Sequence, residues 1–428
     1  MQLNDQEQAI LDGSEGSARA HAMSLLVKYG IALGAEKLVD TNSVCGGVVG
    51  SLPGRRDVLP AEKRDNMDAV YSLLSLDSDV TMQIPPVKAN TYKLIEAMDP
   101  DHFEVQGVAE ATQLLVKDTA KFCSRIGVQT CNTCAPYLVG NVPIFGEHCA
   151  WMESSAVIYI NSVIGARSNV EGAHSAAAAS LVGKIPYWGY HVPENRLGNY
   201  LIEVDCSIET NLDWGLLGYW VGEMVHENVP VLRGIEGIPN TNDLKHFGAA
   251  AASSGGVEMY HLAGITPEAP TLDAAFGGRR PLEAIQFGLA ERRAAYDYFN
   301  TGKDLNVDFI VLGCPHSSLE QIRQVAALLE GKKLSPNTAL WMFTPNALKT
   351  VATKMGYTEI FEQAGAYIMS DSCAALSKVA PKGAKVAATN SCKQAHYLPA
   401  TLGLQTWLGT TEQCVQAAIT GRWEEGLN

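Results

Sequence analysis

Cys314 and His316 follow the apolar run in VDFIVLGCPHSSLE, Cys373 closes SDSC, Cys392 and Lys393 stand in TNSCKQAHYLP, and Cys131 and Cys134 share QTCNTCAPY. Thiolates are soft ligands suited to zinc or iron–sulfur centres, and a catalytic cluster uses three of them so that one iron stays open to substrate. Cys314 and Cys373 each follow a predicted strand, and a third thiol can come from the Cys131-x-x-Cys134 loop. A lone CxxC is also compatible with packing or thiol chemistry. His316 and His148 read more simply as hydrogen-bonded structural histidines than as catalysts. Cys45, Cys123, Cys149, Cys206 and Cys414 sit in apolar or helical surroundings and read as core, and Cys392 is ambiguous.

The elements that must position these residues are clearest in the last third. VDFIVLG, TALWMFT, GAYIMS and AKVAATN read as strands, alternating with SLEQIRQVAALLEG, NALKTVATKMG, an Ala/Leu-rich segment and SCKQAHYLPATLG. Such alternation predicts parallel βα units, and in parallel sheets ligands sit beyond the carboxyl ends of the strands. Cys314-Pro315-His316, Thr344-Pro345-Asn346, Asp371-Ser372-Cys373 and Asn390-Ser391-Cys392-Lys393 all fall there.

Further upstream, Asn4 is placed to cap a helix beginning near Gln6, and a second helix runs from Ser17 to a glycine stop. EKLVDTNSVC then reads as a strand entering a turn with Gly46, Gly47, Gly50 and Gly54, which lacks P-loop or dinucleotide spacing. MESSAVIYINSVIG predicts a helix starting near Glu153 and Ser154, and SAAAASLVGK a second, closely packed one.

The 428 residues, 46% hydrophobic, suffice for two or three subdomains. A formal charge of -14 with no basic block argues against nucleic acid or an anionic membrane as partner. No apolar run approaches the ~20 residues of a membrane span, and the polar start LNDQEQ is unlike a signal peptide, so the expected address is the cytoplasm.

Together GGVVGSLPG, CAPYLVGNVPIFGEHCAWMESSAVIYINSVIGARSNVEG, GCPHSSLEQI, SDSC and TNSCKQAHYLP resemble the catalytic region of the aconitase X family over nearly the whole chain, 1–428. The resemblance implies an aconitase-like α/β fold, with several subdomains of parallel βα units around a cleft and a C-terminal α/β subdomain at about 300–428. It implies an iron–sulfur hydro-lyase that dehydrates a small hydroxy acid, either cis-3-hydroxy-L-proline or mevalonate 5-phosphate. Carried over by position, the cluster thiolates fall on Cys134, Cys314 and Cys373. Substrate contacts fall on Gly47, Val48, Val49, Glu153, Ser154 and Lys393, with catalysis at Glu153, Ser154 and Lys393. Lys393 would be a point charge for a carboxylate or phosphate.

Where phosphomevalonate enzymes of the family tend to carry a serine in the turn and an asparagine before proline, this chain has Val49 and Ile84-Pro85, which favours hydroxyproline. After TNSCKQAHYLPATLG only a short helix, TEQCVQAAITGRW, and a polar end are expected, so the small swivelling domain of such folds is expected on a separate subunit. A zinc or thiol enzyme using Cys131 and Cys134, and a non-catalytic metal-binding protein, are the alternatives from other chemistries.

Overall fold

The computed structural model describes residues 1–48, 54–424, 426 and 427. Helix Asp5–Leu11 starts at a reciprocal capping box between Asn4 and Glu7, and helix Ser17–Ala32 lies against helix Ala173–Val182. The N-terminal region is organised around a small parallel sheet, in the order Asn90–Tyr92, Ser43–Cys45, Cys149–Trp151. Its strands are only three residues long, and apolar side chains from the surrounding helices close both its faces.

A second parallel sheet runs His261–Leu262, Pro230–Arg233, Tyr200–Val204, Glu283–Phe287. Helices Asn211–Val225 and Thr241–Gly255 pack on it, each opened by a capping box, Thr210 with Asp213 and Asn240 with Asp243.

The third sheet is parallel throughout, in the order Tyr367–Ser370, Ala339–Thr344, Phe309–Leu312, Val386–Thr389, Gln405–Leu408. All four residues of Phe309–Leu312 are buried, as expected for a central parallel strand. From it the chain winds outward first to Ala339–Thr344 and Tyr367–Ser370. It then crosses back to Val386–Thr389 on the other side. The switch point therefore opens beyond the ends of Phe309–Leu312 and Val386–Thr389, where Cys314 and Lys393 follow.

Two elements of this region differ from expectation. Helix Tyr357–Ala364 intervenes between helix Asn346–Lys354 and strand Tyr367–Ser370, its start hidden because only Met355 and Gly356 separate it from the preceding helix. Strand Gln405–Leu408 adds an edge to the sheet before helix Thr411–Thr420, in a stretch too short for its alternation to stand out. Among the described residues no helix is long and apolar enough to cross a membrane.

Candidate active site

The loop after Phe309–Leu312 is forced tightly against its neighbour. Gly313 has φ +90, and a Cβ there would lie 2.2 Å from the Phe343 carbonyl oxygen. Ser317 N–H donates to that same oxygen at 2.9 Å, and Thr344 Oγ1 donates to the Ser317 carbonyl at 2.8 Å. The loop's Cys314 thus stands at the switch point on a fixed backbone.

His316 ties this loop to two others. Its Nε2 donates to the Ser372 carbonyl at 2.8 Å, so Nδ1 accepts from Thr133 Oγ1 at 3.0 Å, while its backbone N–H donates to Cys134 Sγ at 3.3 Å. One buried imidazole therefore fixes the neighbours of Cys134 and Cys373 relative to Cys314. Burial pushes its pKa down to about 4, which keeps the neutral ring this arrangement requires. His148 is likewise structural: its Nδ1 lies 2.9 Å from Nδ1 of His191, and burial lowers its pKa to about 4.

Cys134, Cys314 and Cys373 line one cavity of about 480 Å³ together with Glu153, Ser154 and Lys393. Ile95, Met152, Val170, Pro315, Leu376 and Tyr397 supply much of the remaining wall. Glu153 is the N-cap of helix Ser154–Tyr159, and its Oε1 accepts from Ser155 Oγ at 3.0 Å and from Lys393 Nζ at 2.5 Å. Burial would push the Glu153 carboxyl up, but the Lys393 ammonium and the hydrogen bonds outweigh it and hold the group below its ordinary value. Burial alone would lower Lys393, and the Glu153 carboxylate and the Cys314 thiol reverse this and hold the amine above its usual range.

The thiols behave oppositely. Burial, then the Glu153 charge, raises Cys134 to about 12, burial and the neighbouring Cys373 raise Cys314 strongly, and burial raises Cys373. Three thiols from three separate loops thus share a desolvated wall on which none ionises readily by itself. Among the described residues no group of three His, Cys, Asp or Glu side chains is arranged to hold a single metal ion.

The other expected positions fall elsewhere. Gly47 and Val48 are not on the cavity wall. Gly47, at φ +82, lies so close to helix Ala173–Val182 that a Cβ would come within 2.7 Å of Ala177 N, and its N–H reaches Met152 Sδ at 3.0 Å. Val48 is buried in the N-terminal core, and Val49 lies outside the described residues. Cys131 packs against the apolar group around Tyr92 and Tyr159 and does not line the cavity. Cys45, Cys123, Cys149 and Cys414 are core, as is Cys392, whose Sγ faces Gly215. Cys206 is only half-buried, because it lies in the connection between strand Tyr200–Val204 and helix Asn211–Val225.

Sequence reasoning overlooked Tyr397 and Thr401, although they follow Lys393 at i+4 and i+8 on helix Cys392–Leu402 and therefore share its face. It also overlooked Lys245, a buried lysine of helix Thr241–Gly255. Burial brings its pKa down to about 7.

Comparison with known proteins places this geometry in a family. Models of the aconitase X first, second and third domains match residues 1–194, 198–297 and 307–420. The phosphomevalonate dehydratase large subunit of Methanocaldococcus jannaschii is 36% identical over 97% of this chain and 100% of its own length. The cis-3-hydroxy-L-proline dehydratase of Pseudomonas aeruginosa is 31% identical over 98% of this chain and 70% of its own length. The crystal structure of Thermococcus kodakaraensis aconitase X in its holo-form superposes with a TM-score of 0.81 at 30% identity, covering 98% of this chain and 100% of that one. The chain belongs to the aconitase X family, whose relatives named here are hydro-lyases.

Proposed function

We propose that the chain is the catalytic part of an iron–sulfur dehydratase for a small hydroxy acid, with cis-3-hydroxy-L-proline as the leading substrate. The observation that carries this reading is the convergence of three cysteines and the Glu153–Lys393 pair on one cavity. The donor set fits a cluster. A single zinc ion needs its ligands to converge at about 2.3 Å, whereas a cluster several atoms across can meet thiols that stand apart around a wall. Cys134, Cys314 and Cys373 would hold it, and when bound it would supply the Lewis acid at the departing hydroxyl.

The chain's own residues supply the rest. Lys393 Nζ takes the substrate carboxylate in exchange for Glu153, which frees Glu153 Oε1 to accept the proton from the carbon beside that carboxylate. The Ser154 hydroxyl lies on the same wall and orients the departing hydroxyl group. The C–H bond breaks toward Glu153 and the C–O bond breaks toward the hydroxyl, which takes up the proton Glu153 has accepted and leaves as water, so that Glu153 is again a carboxylate and a C=C bond remains. The apolar remainder of the wall keeps bulk water from the carbanion-like centre.

Among the described residues of the wall, Lys393 is the one cation, which suits a substrate with a single anionic group. A second reading, mevalonate 5-phosphate, is favoured by the 36% identity to a phosphomevalonate enzyme. That relative is named a large subunit, which supports a separate small subunit docking over the cavity of this chain as well. Anaerobically reconstituted protein, with and without the small subunit, is to be screened against the hydroxyprolines and mevalonate 5-phosphate for loss of water. Turnover of cis-3-hydroxyproline is expected. Turnover of the phosphate alone selects the second reading, and no dehydration of either with both subunits present overturns both.

A further inference from the structure

Behind the thiols, helix Thr241–Gly255 carries one lysine into a stripe of alanine and glycine. Lys245 is 1% exposed, and its Nζ donates to the His316 carbonyl at 3.0 Å and to Gln321 Oε1 at 2.5 Å. Gln321 is itself anchored, its Oε1 accepting from Ser318 N–H at 3.1 Å and its Nε2 donating to His246 Nε2 at 3.0 Å. The same His316 donates its backbone N–H to Cys134 Sγ at 3.3 Å, so a single peptide lies between the amine and the thiol wall.

An ammonium held in the interior with neutral partners only is costly, and buried charges are ordinarily paired. Here the hydrogen bonds hold the amine against the Cys314 loop, where thiolates bound to a metal group would supply the anion it lacks. The contact also joins the three family domains. Lys245 comes from the second, His316 and Gln321 from the third, and Cys134 from the first.

We infer that Lys245 is the fixed countercharge of the thiolate set, a positioning residue that grips the Cys314 loop through the His316 carbonyl and offsets the charge of Cys134 and Cys314 when they bind a metal group. The inference rests on the cluster reading above. It assigns Lys245 no contact with substrate.

Its test uses the full chain as wild type, Lys245→Met and Lys245→Gln, each loaded anaerobically with iron and sulfide. Three quantities are measured: iron and sulfide per chain, the rate at which an iron chelator bleaches the colour, and urea unfolding of the metal-free protein. Methionine removes both charge and donor, while glutamine retains a donor for the His316 carbonyl without the charge. Both variants are expected to lose iron at least about tenfold faster than wild type, since a charged contact has gone. The metal-free glutamine variant should unfold near wild-type urea, which separates loss of iron from loss of the fold, while the methionine variant leaves the His316 carbonyl without its donor and unfolds at lower urea. Wild-type retention by the glutamine variant overturns the charge role, and should the methionine variant not fold, the glutamine result decides alone. A wild-type chain that takes up no iron counts against the cluster reading itself, and is thereby distinguished from failure of the role given to Lys245.

Discussion

The C-terminal five-stranded sheet and the N-terminal three-stranded sheet contribute to the same cavity by different means. In the first, Cys314, Cys373 and Lys393 follow regular strands whose register is fixed along the sheet. In the second, Cys134 sits in irregular chain between helix Glu110–Ile126 and the short strand Cys149–Trp151, and depends on His316 and Thr133 for its place. A regular parallel sheet positions side chains from within, whereas an irregular segment must be held from outside. The site exists only where the two regions dock.

If the two regions supply equivalent ligands, the largest effects come from the thiols. Cys314→Ser and Cys134→Ser should each abolish visible absorption and turnover, although one lies on the sheet side and the other in the loop, because a cluster held by two thiolates is poorly retained. Full colour in either variant would break the equivalence.

The next effect spans the same junction, since Lys393 comes from the C-terminal region and Glu153 from the N-terminal one. Lys393→Ala and Glu153→Gln should each lower kcat/KM at least about tenfold, the loss of a charge-assisted contact, while leaving the colour intact. The double variant should fall short of the sum, because the two groups share one interaction. Strict additivity would mean that Lys393 does not free Glu153 by taking the carboxylate.

Docking itself is sharpened by pH. Asp99, on the N-terminal side, accepts from Ser370 N–H at 2.6 Å and from Lys349 Nζ at 3.1 Å, both in the C-terminal region. Burial would raise its carboxyl, but the His102 ring, the Lys349 ammonium and two backbone N–H groups outweigh this and bring it from 3.8 down to about 2. The folded value is the lower one, so the stabilisation is complete above the unfolded value and is lost as pH falls from about 4 to about 2. About 2 kcal/mol is at stake. Asp99→Asn should flatten that acid limb in urea unfolding, and an unchanged acid limb would remove Asp99 from the junction.

The smallest effect is expected at Cys206, which is half-buried and away from the cavity. Cys206→Ser should change stability by no more than about 0.5 kcal/mol and leave colour and turnover alone.

The same contrast decides what could be read from the sequence. Cys314, Cys373 and Lys393 were legible because apolar strands ending in polar loops advertise a parallel sheet, and such sheets bind ligands at those ends. The helix starts at Asn4 and Glu153 were legible from their caps. The choice of Cys134 over Cys131 was not, since both lie in coil and only the distant His316 separates them. The central four-stranded sheet went unread because one edge strand, His261–Leu262, has two residues, because the other, Glu283–Phe287, is largely exposed and shows no apolar run, and because helix Asn211–Val225 is buried on most of its surface and so lacks a polar face. Capping boxes at Thr210 and Asn240 were the available signal. Lys245 carries no local mark at all, because its partners are 71 and 76 residues away.

The central claim is that the thiols and the Glu153–Lys393 pair form one dehydratase site. The most direct measurement is the electron paramagnetic resonance spectrum of the reduced, cluster-loaded chain with the proposed small subunit, titrated with cis-3-hydroxyproline and, separately, with mevalonate 5-phosphate. One of these acids should shift the signal in wild type at concentrations that leave Lys393→Ala unchanged. A cluster signal indifferent to both acids, or one that shifts equally in wild type and Lys393→Ala, is incompatible with a shared site.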